Sequence, residues 1–279
     1  MHLQCGKFRL SLSRPLIMGV INVTPDSFSD GGRFFSAAAA VAHARQLIAE
    51  GADLLDVGGE STRPGAAPVS LDEERRRVLP VLEALAGFAV PLSVDTQKPG
   101  LMREAVAAGA AMVNDVNGFE ASGALAAIAG SDCAICIMHK QGSPQSMQQS
   151  PQYADVVVEV RDYLQQRIAA AEQAGIARER IVIDPGFGFG KVLEHNLELL
   201  RRLDEIAALR VPVLAGLSRK SMIGKLTGRD TGDRLAGSVA AALFAVQRGA
   251  AIVRVHDVAA TRDALMVWQA VRSGDSVIK

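Results

Sequence analysis

Nine polar side chains fall where short apolar runs end: Asn22, Asp56, Asp95, Asn114, His139, Asp184, Lys220, Arg254 and His256, with Lys220 two residues beyond its run. Taken singly, such a residue is most often a cap or a turn former. Taken together, they bring carboxylates, amides and cations to one rim, and that pattern points to a ligand. Asp95, Asn114 and Asp184 supply acceptors plus an amide that both donates and accepts. A carboxylate pairs bidentately with a flat group bearing two adjacent N–H donors, such as a 2-aminopyrimidinone or a guanidinium. Lys220 would donate to a ring nitrogen or carbonyl of the same ligand. Arg254 and His256 stand two apart in one run, so they face the same way and would clamp an anion. The ligand read from these residues is a flat, donor-rich heterocycle with an anionic tail. The same residues also allow a purely structural pairing of Asp184 with Arg254.

Other chemistries find no support. The chain shows no Ser-His-Asp arrangement, no His-Glu-x-x-His and no Cys/His zinc spacing, and His2, His43 and His195 read as surface or helix residues. The string Gly-Phe-Gly-Phe-Gly-Lys at 186–191 is too short for a Walker loop, has Val192 where Ser or Thr would meet magnesium, and does not fit G-x-G-x-x-G. It reads instead as a tight turn that lets Phe187 or Phe189 line a pocket. Cys133 and Cys136 form a C-x-x-C inside an apolar run, where alternation would send the thiols to opposite faces, so they read as packed core thiols.

Presenting those strand ends on one rim requires parallel strands. Apolar runs suited to strands occur at 16–22, 53–57, 92–95, 112–115, 134–139, 181–184, 213–218 and 252–257. Helical patterns follow them, as at 37–50, 71–86, 100–108, 153–174, 234–248 and 260–272, and Gly51, Gly109, Gly175 and Gly249 stand where a C-terminal cap belongs. Eight strand–helix units without a linker predict an α/β fold: one (β/α)8 barrel spanning residues 1–279. A doubly wound open sheet is the alternative. Alternation at 8–12 predicts a small N-terminal hairpin over the barrel's N-terminal end. Three long connections, 23–35, 58–70 and 140–152, follow the first, second and fifth strands and would project from the C-terminal face, where lids and binding loops belong.

Lys plus Arg equals Asp plus Glu at 30 each, so no net field draws the chain to nucleic acid or to an anionic membrane. No apolar run reaches the roughly 18 residues that a membrane helix needs. The first ten residues carry Cys5, Lys7 and Arg9 with no apolar leader, and three cysteines suit a reducing compartment, so the cytoplasm is expected.

Five strings, in order, resemble the dihydropteroate synthase family across nearly the whole chain: Gly-Val-Ile-Asn-Val-Thr-Pro-Asp-Ser-Phe-Ser-Asp-Gly-Gly at 19–32, Gly-Ala-Asp-Leu-Leu-Asp-Val-Gly-Gly-Glu-Ser-Thr-Arg-Pro-Gly at 51–65, Asp-Pro-Gly-Phe-Gly-Phe-Gly-Lys at 184–191, Ser-Arg-Lys-Ser at 218–221 and Arg-Val-His at 254–256. The resemblance implies a pterin-binding barrel in folate biosynthesis. Diphosphate leaves a dihydropterin methylene there, and the amine of 4-aminobenzoate takes its place. By match to the family, Asp95, Asn114, Asp184 and Lys220 hold the pterin. Arg63, Arg254 and His256 hold the diphosphate with Asn22, which also helps to place Mg²⁺. Thr62, Arg63, Pro64, Phe28, Phe189, Lys220 and Ser221 form the aminobenzoate site. Arg254, His256, Arg63, Lys220 and Asp30 are the residues closest to the chemistry. The resemblance also implies inhibition by sulfonamides, which are shaped like aminobenzoate, and a homodimer through the later helices, where 236–246 is apolar. Lys140 departs from the apolar residue usual at its place, and Asn117-Gly118 from a more polar pair; neither is a matched binding residue.

An aniline-type amine is neutral near pH 7, so the reaction needs no strong general base, in keeping with the lack of one. Two other activities share part of the pattern. A barrel passing a methyl group from a folate to cobalamin would keep the ring contacts but need no diphosphate clamp and no Ser-Thr-Arg-Pro loop. A non-catalytic relative would be free to lose both.

Overall fold

The computed structural model describes residues 1–23, 33–61, 65–142, 147 and 151–273. The chain opens with two short antiparallel strands, β1 (His2–Cys5) and β2 (Phe8–Ser11), and then alternates strand and helix to its end. The barrel strands are β3 (Leu16–Asn22), β4 (Leu54–Gly58), β5 (Leu92–Asp95), β6 (Met112–Asp115), β7 (Ala134–Met138), β8 (Ile181–Asp184), β9 (Val213–Ala215) and β10 (Ala250–Val255). They pair in parallel in chain order, and β10 closes on β3 through Ile252–Leu16 to Val255–Gly19. The expected closed barrel is therefore the observed one, and the open sheet is excluded.

Alternation sorts each strand into two cores. Leu16, Met18, Leu54, Met112, Ala134, Cys136, Val182, Leu214 and Ile252 fill the barrel interior, and Leu3 and Cys5 of β1 plug its N-terminal end. The intervening residues, such as Ile17, Leu55, Val113, Ile135 and Ile183, pack outward against the helices. Cys133 lies in the outer core and Cys136 in the inner one, both unpaired and buried, so the two thiols do part company. Continuing the inward parity toward the strand ends reaches Asn22, Asp56, Asp95, Asn114, Asp184 and Arg254.

The surrounding helices are α1 (Arg33–Glu50), α2 (Leu71–Leu85), α3 (Pro99–Ala107), α4 (Ala126–Ala129), α5 (Val156–Gln173), α6 (Leu193–Arg201), α7 (Leu203–Ala207), α8 (Ser221–Thr227), α9 (Leu235–Gln247) and α10 (Val258–Ser273). Their ends shift from those expected, with α1 starting at Arg33 instead of 37 and α10 at Val258 instead of 260, and two further departures have local reasons. The helix expected from residue 153 begins at Val156, because Asp155 is extended and its Oδ1 caps Val157 and Val158 at 2.9 and 3.1 Å. After β6 only a four-residue helix forms, since Gly118, Phe119 and Gly123 take positive φ and break the pattern before it. The strand expected over 213–218 stops at Ala215, ahead of a turn in which Arg219 has φ 59°. The four predicted capping glycines, 51, 109, 175 and 249, have φ between 88° and 102°. The long connections leave the C-terminal ends of β3, β4 and β7.

Candidate active site

The inward-facing residues at the C-terminal end of the barrel form a polar floor. Asp56 on β4 is completely buried, and its Oδ2 accepts from Arg254 Nε of β10 at 2.6 Å. Arg254 Nη2 donates to Asp95 Oδ2 of β5 at 3.1 Å. Asn114 Nδ2 of β6 donates to the same Asp56 Oδ2 at 3.4 Å. Arg254 thus pairs with Asp56 and Asp95, and the Asp184–Arg254 pair that the sequence allowed does not form. Burial, and then the neighbouring charge of Asp56, raise the Asp95 carboxyl to about 8.

Asp184 closes the opposite side. Its Oδ1 accepts from the Gly186 N–H at 2.7 Å, and burial raises its carboxyl while Lys220 opposes that rise. Lys220, at the N-terminus of α8, donates to the Phe187 carbonyl and lies 4.8 Å over the Phe189 ring. Burial lowers its ammonium to about 8. Gly216 keeps the centre open: a Cβ there would lie 3.9 Å from Lys220 Nζ, 3.9 Å from Arg254 Cβ and 4.0 Å from Asp184 Oδ2. His256 sits beside Arg254 with Nδ1 3.0 Å from Ser218 Oγ, which also accepts its backbone N–H at 3.2 Å. Ser221, the first residue of α8, is exposed.

Several buried atoms in this region have no partner among the described residues: Asp56 Oδ1, Ser93 Oγ and Asn114 Oδ1. A polar atom buried without a partner costs on the order of 1–3 kcal/mol, so a cluster of them marks a place where a ligand is due. All three are oxygens on the inward parity of neighbouring strands, and β4, β5 and β6 are adjacent.

The profile of the family described as pterin binding enzyme matches residues 18–256. The dihydropteroate synthase of Escherichia coli (strain K12) is 52% identical over 265 residues, covering 95% of this chain and 94% of that one. This chain belongs to the dihydropteroate synthase family. Its fold agrees with the solved structure of the Xanthomonas albilineans synthase with 4-aminobenzoic acid, at TM-score 0.92 and 57% identity over 98% of each chain. The Burkholderia cenocepacia synthase complexed with 7,8-dihydropteroate gives 0.90 and 53%, over 98% and 97% of the two chains. The Yersinia pestis synthase in a sulfonamide drug complex gives 0.93 and 48%, over 98% and 100%.

Of the residues matched to the family, Asn22, Asp95, Asn114, Asp184, Phe189, Lys220, Ser221, Arg254 and His256 lie at this end of the barrel. Phe28, Asp30, Thr62, Arg63 and Pro64 lie outside the described residues. His139 turns out to serve a different cluster. It is buried, with Nδ1 2.9 Å from Lys191 Nζ and its ring edge-on to Tyr163 at 5.0 Å.

Sequence reasoning gave no role to Asp56, Lys191, Glu60 or Lys98. Asp56 had a usable signal, because it shares inward parity with Leu54 on its strand. Lys191 was visible only as the lysine of a failed phosphate loop. Its ammonium is buried against the carbonyls of Gly186 at 2.9 Å and Phe189 at 3.1 Å, besides His139. It therefore fixes the turn that carries Phe189. A Cβ on Gly186 would meet the His139 carbonyl at 1.8 Å, which is why that turn needs glycine. Glu60 ties the ends of the β4–α2 connection together, accepting from Val69 N at 3.0 Å and from Lys98 Nζ at 2.5 Å. No sequence spacing signals that three-way contact.

Proposed function

We propose that this barrel end condenses a dihydropterin methyl diphosphate with 4-aminobenzoate, giving dihydropteroate and diphosphate, with each site residue in the role its chemistry suits. The observation that carries the reading is Asn114 Oδ1, buried and unpaired on β6 directly beside Asp95 of β5. It is an acceptor awaiting a ring N–H. Asp95 and Asp184 add carboxylates for a flat donor-rich edge, and Lys220 adds a donor. Arg254 and His256 would face the diphosphate, with Arg63 added from the β4–α2 connection.

In the step itself the methylene C–O bond breaks and its electron pair leaves with the diphosphate. The amine nitrogen forms the C–N bond and gives its proton to solvent. Arg254 and His256 meet charge that grows on the leaving oxygen, and the enclosing pterin contacts keep water from the electron-poor methylene. Phe189, Ser221, Thr62 and Pro64 would bound the aminobenzoate, and Phe28 and Asp30 belong to the same assembly. A sulfonamide shaped like aminobenzoate would compete there.

Magnesium fits this site as a companion of the diphosphate. Asn22 Oδ1 and Asp95 Oδ2 each lie 4.0 Å from where a Gly58 Cβ would stand, so two oxygen donors flank the side-chain-free Gly58. No group of three His, Cys, Asp or Glu suited to a metal exists among the described residues, so phosphate oxygens and water must complete the shell. When bound, the ion neutralises charge on the leaving diphosphate. Asn22 would hold it.

The reading extends to a homodimer and to the cytoplasm. Leu226, Leu235, Phe244, Met266, Val267 and Val271, on α8, α9 and α10, are exposed large apolar side chains suited to a partner copy. Three unpaired thiols suit a reducing compartment. No helix among the described residues is long and apolar enough to cross a membrane.

The deciding experiment mixes the chain with the pterin diphosphate, magnesium and labelled aminobenzoate. Labelled dihydropteroate and diphosphate are expected in equal amounts. Diphosphate release without a labelled product would reject the transfer.

A further inference from the structure

Arg254 and Asn114 meet at a single oxygen, Asp56 Oδ2. Under the proposed function, Arg254 serves the diphosphate and Asp95 serves the ring. In this structure Arg254 and Asp95 serve each other. The two bonds that hold the guanidinium are unequal. The one to Asp56 is 2.6 Å long and reaches a carboxylate with no exposure, whereas the one to Asp95 is 3.1 Å long and reaches a side chain that is 12% exposed. A short charge-assisted bond in a dry setting is the stronger of the two. An anion arriving at the Nη groups therefore breaks the Asp95 bond first and leaves Nε on Asp56.

Resting on that function, we propose that Asp56 is a positioning residue on which Arg254 pivots between Asp95 and the diphosphate, so that anion binding frees Asp95 for the ring. Diphosphate and ring then bind cooperatively, although they need not touch the same atoms. Asp56 Oδ2 does a second task in the same grip. Only the NH₂ of Asn114 can face a carboxylate, so the amide is fixed with Oδ1 toward the ring site, where it is buried and unpaired. One carboxylate thus sets the geometry of both subsites.

The test titrates the full chain calorimetrically with inorganic diphosphate plus magnesium, with a hydroxymethyl pterin lacking phosphate, and with the two together. Each ligand should tighten the other by the same factor, about fivefold or more. In Asp56→Asn the coupling factor should fall below about twofold, because the pivot loses its charge. A merely structural role would weaken both ligands and leave the factor unchanged. Asp95→Asn is the second arm should Asp56→Asn not fold. It releases Arg254, so diphosphate alone should bind severalfold more tightly than to the unaltered chain. A factor near one in the unaltered chain, a full factor in Asp56→Asn, or unchanged diphosphate affinity in Asp95→Asn would each overturn the pivot. Independent binding of both probes by a chain that still turns over defeats the pivot alone. Failure to bind either probe defeats the proposed function.

Discussion

The Lys191 ammonium lies 2.9 Å from His139 Nδ1, and both side chains are buried. With Gly186 and Phe189 carbonyls also in reach, a charged Lys191 has an acceptor for each of its three protons. His139 must then accept at Nδ1 and carry its own proton on Nε2. Burial first, and the Lys191 charge second, lower the His139 imidazole to about 2. Burial lowers the Lys191 ammonium to about 7, so nitrogen NMR at roughly pH 4 to 6 should show His139 as the neutral Nε2–H tautomer, with no protonation of the ring in that range. Lys191→Met should cost about 2–4 kcal/mol in urea unfolding, because it strands buried acceptors. A loss below about 1 kcal/mol would contradict the role given to Lys191.

The pH profile should carry the marks of Lys220 and Asp95. Burial lowers the Lys220 ammonium to about 8, so this cation is lost as pH rises through that value, and activity that needs it falls. Burial and the like charge of Asp56 raise Asp95 to about 8, so its bidentate acceptor appears as pH rises, and activity that needs it climbs. A bell in kcat/KM for the pterin diphosphate is expected, its acid limb shifted above the usual carboxylate range by Asp95 and its alkaline limb set by Lys220. Lys220→Arg keeps its charge and should flatten the alkaline limb relative to the unaltered enzyme, a comparison that cancels titration of the substrate itself. An alkaline limb unchanged by that substitution would remove Lys220 from the profile.

Much of this was legible beforehand because period-two alternation and strand ends are local features. Asp95, Asn114, Asp184 and Arg254 could be placed on one rim from spacing alone, and β3, β5, β6 and β8 have the bounds expected for them. What stayed hidden depends on contacts between distant residues. Nothing near Asp56 announces a partner 198 positions away, and nothing near His139 announces Lys191, 52 positions away. Strand and helix ends moved where a single side chain or turn decided them, as Asp155 did for α5 and the turn at Arg219 did for β9.

Turnover should require a divalent cation that is held weakly until the diphosphate arrives. Asn22 offers one neutral amide oxygen, and a lone neutral donor is a poor cage for magnesium. Exhaustive chelation should abolish product formation, and added magnesium should restore it. Equilibrium dialysis should find little bound metal without diphosphate and about one ion per chain with it. Full activity in excess chelator would reject Asn22 as a metal ligand.

Removing Arg254 should damage turnover and stability through different partners, and a second substitution can pull the two apart. Arg254 meets charge that develops as the C–O bond breaks, so Arg254→Ala should lower kcat by roughly a hundredfold or more, the scale of one lost transition-state donor. It also leaves Asp56, with no exposure, without its counter-charge. Breaking a buried pair from one side costs about 3–5 kcal/mol, whereas replacing both members can be nearly neutral. Arg254→Ala alone should therefore unfold at markedly lower urea. Arg254→Leu combined with Asp56→Asn should recover most of that stability below about pH 8, since Asp56 then carries no charge and Asp95, which also loses its partner, can stay protonated. Turnover should not recover with it, because neither replacement can stabilise a leaving diphosphate. Urea midpoints and single-turnover rates for the single and double variants decide the matter. A double variant that regained both stability and rate would mean that Arg254 acts only as a structural partner of Asp56.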